Sequence, residues 1–240
     1  MIWPRLPVAL ALIGTFVSSS LLAQTVGTQQ RFLEALKSRG YYDTAVEYLD
    51  LLVSDPACPA ELKEIIDYEA GVSLIGAAQT ARNPQKRDQA LKDAIERLRK
   101  FVQEHPQHAL ADAARAQLGQ GLVEQAKSLL QGIETKTPEE ANRLRGEARK
   151  LIEQAKQDFD AYEKSAYARA KEFQGKTIDS RNEQLIKERE QAYAEYLKAR
   201  MFTMGATYQL AQTYAKEEKQ RSDLLKQAAS DYEKFYEKYR

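Results

Sequence analysis

Cysteine occurs once in these 240 residues, tryptophan once and histidine twice, and each shortage removes a class of chemistry. A lone thiol, Cys58, excludes an internal disulfide and any cysteine-based metal cluster. It also lies far from the N-terminal leader, where a bacterial lipoprotein carries its lipidated cysteine. His105 and His108 flank Pro106 with no cysteine or second carboxylate cluster beside them, so they read as helix-end residues rather than metal ligands. Net charge is nearly absent too: 36 Lys and Arg face 35 Asp and Glu, a balance that argues against nucleic acid and anionic membrane surfaces as partners. No segment shows the strict alternation of a half-buried strand. Nucleophile elbow, HExxH and phosphate-loop patterns are all missing, and the Gly119-Gln120-Gly121 run sits within a helical stripe rather than after a strand. The abundant acidic residues read as solvated helix faces. The sequence therefore nominates no catalytic, cofactor-binding or metal residue, no small-molecule substrate, and no enzyme.

What is present begins with a leader. Arg5, an apolar stretch from about Val8 to Val17, and the small or polar residues up to Ala23 have the layout of a secretory signal peptide over residues 1–23. Cleavage is expected after Ala23, with Ser20 the weaker site. The apolar stretch falls short of the roughly 20 residues a membrane span requires, which makes an N-terminal anchor the alternative. Export to the periplasm or cell envelope is the expectation.

From residue 29 onward the apolar residues recur with a period near 3.6, which predicts an all-α protein. Leu91, Ala94, Leu98, Phe101 and Val102 form one stripe, and Leu225, Ala228, Tyr232, Phe235 and Tyr236 form another with the same spacing, 134 residues later. The same shift pairs Gly71 with Gly205, Ala81 with Ala215, Arg87 with Arg221 and Lys100 with Lys234, without a gap. A recurring helix pair implies neighbours stacked into a continuous core.

Between the copies, Ala141, Leu144, Ala148, Leu151, Ala155, Phe159, Tyr162, Ala166, Ala170 and Phe173 trace the seam of one long helix, expected over 138–174. Thr137-Pro138-Glu139-Glu140 is its capping box, and Gly175 is placed to close its last turn. Ser180-Arg181-Asn182-Glu183 reads as a second capping box, opening a helix over 181–217 with a seam through Leu185, Arg189, Tyr193, Tyr196, Met204, Tyr208 and Ala211. A short turn between them predicts a protruding hairpin. Seven tyrosines lie between 193 and 239, most of them expected in packing seams and a minority available to line a peptide groove.

Gly40, Tyr42, Ala45, Leu49, Leu52 and Pro56 resemble the second half of a tetratricopeptide repeat, and so do Ala94, Leu98, Phe101 and Pro106, then Ala228, Tyr232 and Phe235. Leu118-Gly119 with Leu122, Met204-Gly205 with Tyr208, and Ala70-Gly71 with Leu74 look like first-helix signatures. Over residues 29–130 and 201–240 the chain is similar to tetratricopeptide-like proteins of the bacterial envelope, of the Tol-Pal and outer-membrane-assembly types. Leu33 departs from the pattern by lacking the family's small residue. The resemblance implies a solenoid of antiparallel hairpins over 24–130, a long coiled-coil-like hairpin inserted at 131–200, and a further, incomplete hairpin at 201–240. It also implies a non-catalytic scaffold that binds a protein or peptide. The alternatives are the N-terminal module of a larger envelope enzyme and a signal-anchored structural coiled coil. The last stripe ends mid-pattern, which suggests further repeats downstream and leaves an aromatic face through which the chain can self-associate.

Overall fold

A computed structural model describes the backbone of residues 18–240 and the side chains from Gly27 onward. The signal-peptide segment, 1–23, lies outside the described side chains and for the most part outside the described backbone. Among the described residues every regular element is helical: α1 (Ser18–Ser38), α2 (Tyr42–Val53), α3 (Ala60–Glu64), α4 (Ile66–Thr80), α5 (Pro84–Glu104), α6 (Ala111–Leu130), a 3-10 turn at Ile133–Thr135, α7 (Pro138–Lys171), α8 (Glu183–Gln212) and α9 (Lys219–Tyr239). None of them is long and apolar enough to cross a membrane. The protein is all-α.

Helix boundaries follow local chemistry. Asn83 accepts a hydrogen bond from the Lys86 amide (3.0 Å) and Pro84 occupies the first position of α5, where its missing N–H costs nothing. Thr137 does the same for Glu140 (3.3 Å), again followed by proline. Gly40 and Gly175 end α1 and α7 in the left-handed region, at φ +77° and +73°, where a Cβ would be strained. The cap of α8 differs from the sequence expectation. Asn182, not Ser180, accepts the Leu185 amide (3.1 Å), so the helix opens at Glu183 and the link from α7 is longer than the short turn expected. Both long helices also stop earlier, at Lys171 and Gln212 rather than 174 and 217.

The helices pack chiefly on their neighbours in sequence: α2 on α4, then α4 to α9 in an unbroken series, with lesser contacts between α4 and α6 and between α6 and α8. The principal core runs through this series, uniting Ile75 of α4, Leu98 and Phe101 of α5, Leu118 and Leu122 of α6, Ala155 and Phe159 of α7 and Ala206 of α8. A second cluster, built on Leu33, Leu49, Leu62 and Cys58, closes the N-terminal end. Leu98→Ala in such a core costs about 2–5 kcal/mol.

The stripe expected on α5 is buried at Leu91, Ala94, Leu98 and Phe101, with Val102 half-buried. Most of the α7 seam is buried as well, with Ile152 added and Leu144, Leu151 and Phe173 only half-buried. The hairpin of α7 and α8 does not protrude, however. α7, about 51 Å long at 1.5 Å per residue, buries Ala148 and Ile152 with Ala126 of α6 at one end and Tyr162 and Ala166 with Ala116 and Ala199 towards the other. It is therefore a packed member of the series rather than a separate arm.

On α8 the seam runs elsewhere than through the tyrosines. Met204 and Ala211 are buried as expected, but the rest of the inward face is Ala192, Ala199, Thr203, Ala206 and Thr207, small side chains that allow close helix packing. Tyr193 and Tyr208 are displaced to the surface. Of the seven tyrosines from 193 to 239, five are exposed and Tyr196 and Tyr214 are half-buried, which corrects the expectation that most are core.

Candidate functional site

The glycines at close helix contacts lie on α4, α6 and α8, whereas Gly146 of α7 faces open space. Gly71 of α4 lies so close to α5 that an added Cβ would come within 2.5 Å of the Leu98 side chain and 3.3 Å of the Ala94 carbonyl oxygen. Gly119 of α6 makes room in the same way for the Phe159 ring of α7, and Gly76 of α4 for the Tyr42 ring of α2. Gly205 of α8 is looser: its nearest neighbour would be the Tyr232 hydroxyl at 3.5 Å, an ordinary contact.

α4, α6 and α8 themselves touch only lightly, and a groove of about 530 Å³ lies across them. Its floor is apolar, formed by Ile75, Val123, Phe159, Phe202 and Ala206, with Met201 standing half in solvent (52 % exposed). Gln79, Gln120 and Gln209, one from each of the three helices, line its polar parts with Glu124. Glu124 is paired with Lys127 (2.7 Å), whereas none of the three glutamine side chains hydrogen-bonds to another group of the protein among the described residues. No lysine, arginine, histidine, cysteine, serine or threonine lines the groove. It offers apolar surface and free amides, and no nucleophile or proton-transfer pair.

A second recess, about 660 Å³, opens between α5, α6 and α7. Asp158 sits in it beside Gln125, Gln154 and Gln157. Burial pushes its carboxyl up to about 6, and the positive charges of Arg99 and Arg115 only partly offset this. Lys92, Glu96 and Arg99 also line the recess, which contains no Ser, Thr, Cys, His or Tyr.

The other polar clusters join helices to one another. Arg169 of α7 bridges Asp112 of α6 and Glu195 of α8 (2.8 Å to Glu195), and Asp112 also pairs with Arg115 (3.1 Å), tying three helices together. Arg97 joins Asp50 of α2 (2.6 Å) to Asp67 of α4 (2.9 Å). Burial alone would raise the Asp67 carboxyl, but hydrogen bonds from Lys100 and Arg97 hold it below the usual carboxylate range. Arg149 of α7 lies over the Tyr214 ring, 3.7 Å from its centroid, and donates to the Thr213 carbonyl oxygen (3.2 Å).

His105 and His108 pack their rings on Phe101, 5.3 and 5.4 Å between centroids, and His108 Nδ1 accepts the Leu110 amide (3.0 Å). Among the described residues no group of three or more His, Cys, Asp or Glu is arranged to hold a metal ion. Gly119 and Gly121 lie inside α6, and Gly121 lines the groove. Sequence reasoning picked out the glycines that bring the helices together but missed the groove between them. Its residues come from α4, α5, α6, α7 and α8, and only the glycine signatures hint at it.

No family model matches the chain, and no curated protein or solved structure matches it at a significant level.

Proposed function

We propose that the protein is a non-catalytic helical-repeat scaffold of tetratricopeptide-like design, exported to the cell envelope, that binds a polypeptide segment of a partner in the groove across α4, α6 and α8. In this reading α4, α6 and α8 are the first helices of successive hairpins and α5, α7 and α9 the second. The glycine on each first helix and the lesser contacts between alternate helices support that pairing.

The observation that carries the binding role is the set of three unpartnered glutamine amides around an apolar floor. A peptide backbone presents N–H and C=O groups at regular intervals and needs partners for them when it leaves water. Glutamine supplies a donor and an acceptor in one side chain. The apolar floor then takes side chains of the same segment, and Met201 adapts to their shape.

The test is a photo-crosslinking amino acid placed at Met201 or Gln120, with one at the exposed Glu153 of α7 as control, in the native host. A discrete polypeptide adduct at the groove positions, lost on Phe202→Glu and absent at Glu153, is the expected result. Equal adducts at all positions, or none at the groove, would sink the reading.

A further inference from the structure

Sulfur is scarce in this chain, and where it meets solvent is informative. Among the described residues it occurs in Cys58, Met201 and Met204, Met1 lying outside them. Cys58 is buried, and burial pushes its thiol pKa up, which disfavours the thiolate that oxidants attack. Met204 is 1 % exposed. Met201, less than one turn away on the same helix α8, is 52 % exposed and lines the groove across α4, α6 and α8. The one described sulfur open to attack therefore stands where the proposed segment binds.

A solvent-exposed thioether reacts with peroxides. The sulfur lone pair attacks one oxygen of hydrogen peroxide, the O–O bond breaks and an S–O bond forms. The hydroxide that leaves takes the proton carried by the transferred oxygen and becomes water. Sulfur is oxidised by two electrons, the peroxide is reduced, and the product is methionine sulfoxide, a polar side chain in place of an apolar one.

The apolar floor beside Met201, formed by Ile75, Phe159, Phe202 and Ala206, has no side-chain donor for the new oxygen. The side-chain donors in the groove are the amides of Gln79, Gln120 and Gln209, the groups that the proposed reading assigns to the backbone of the bound segment. A sulfoxide oxygen either takes one of these amides or is left unpaired once the segment displaces water, and both oppose binding.

We propose that Met201 is an oxidative modification site, and that its conversion to the sulfoxide by a peroxide releases the segment held in the groove. The inference rests on the groove being a polypeptide-binding site. The change is reversible, because sulfoxide reductases restore the thioether.

The test uses the full chain with a photo-crosslinking amino acid at Gln120, in the native host, with and without hydrogen peroxide before irradiation. Peptide mass spectrometry is expected to find the added oxygen on Met201 and little on Met204, while the adduct falls by about tenfold. In Met201→Leu, whatever its adduct before peroxide, the level afterwards should be the same. Met201→Gln, polar without any oxidant, should give as little adduct as the oxidised parent. Oxidation of Met204 as readily as Met201 overturns the inference. So does an adduct that survives full oxidation of Met201, a Met201→Leu adduct that falls as far as the parent's, or an undiminished adduct in Met201→Gln. In each of these cases the untreated parent still forms its adduct, and the groove reading stands. Absence of the adduct from the untreated parent rejects that reading and this inference together.

Discussion

At the scale of single residues, the 134-residue repeat conserves identities without conserving their surroundings. Gly71 and Gly205 are equivalent in sequence, yet only Gly71 is pressed against both a side chain and a main-chain oxygen. Gly71→Ala should therefore destabilise the protein by about 1–3 kcal/mol through overpacking. Gly205→Ala meets only the Tyr232 hydroxyl and should be neutral or stabilising by up to about 1 kcal/mol, the gain in helix propensity. Urea titration of both variants decides it, and equal losses would contradict the difference in packing. Asp158 has a pH signature. Its carboxyl titrates at about 6 in the fold against an ordinary 3.8, so the stability it contributes is fully present below the unfolded value and is lost as pH rises through about 6. Asp158→Asn is expected to stabilise the protein near neutrality by about 1 kcal/mol after allowance for solvent screening, and to change little near pH 4. Arg99 and Arg115 face this carboxyl from α5 and α6 and moderate the effect. Asp67 has the opposite sign. Its lowered pKa gives stability above the unfolded value that is lost as pH falls through the folded one.

At the scale of elements, the helices most legible in the sequence are those with one strong apolar stripe. α5 and α7 carry large residues in steps of three and four, so period and buried face agree, and the Thr137-Pro138 cap also places the start of α7. α8 was read correctly at Met204 and Ala211 and misread elsewhere, because the rest of its buried face is alanine and threonine, while Tyr193 and Tyr208 mark the outside. A hydrophobicity pattern weights the ring over the methyl group, whereas a close helix contact selects the methyl group. The short α3 carries too few residues to show a period at all. The groove was illegible for another reason: glutamine amides and apolar side chains have no characteristic spacing when they converge from separate helices. The corrected cap of α8 gives a check. Asn182→Ala should cost about 1 kcal/mol and Ser180→Ala close to nothing. Equal effects of the two substitutions would return the cap to Ser180.

At the scale of the molecule, stability is distributed along a series of neighbouring contacts, so distant helices answer to one another weakly. Leu49→Ala in the N-terminal cluster should accelerate amide exchange in α2 and α4 while leaving α8 and α9 at parent rates. Uniform acceleration across all helices would show a single cooperative unit. The long α7, buried against α6 along its length, has a mechanical consequence. Force applied between the two ends of the chain is carried through each helix interface in turn, so the interface with least buried surface yields first. α9, with Ala228 as its one fully buried residue, peels away before the pair of α6 and α7 shears, and each freed residue lengthens the tether by at most about 3.6 Å. Under tension such a chain is a graded spring. Its last support is the helix pair at its middle.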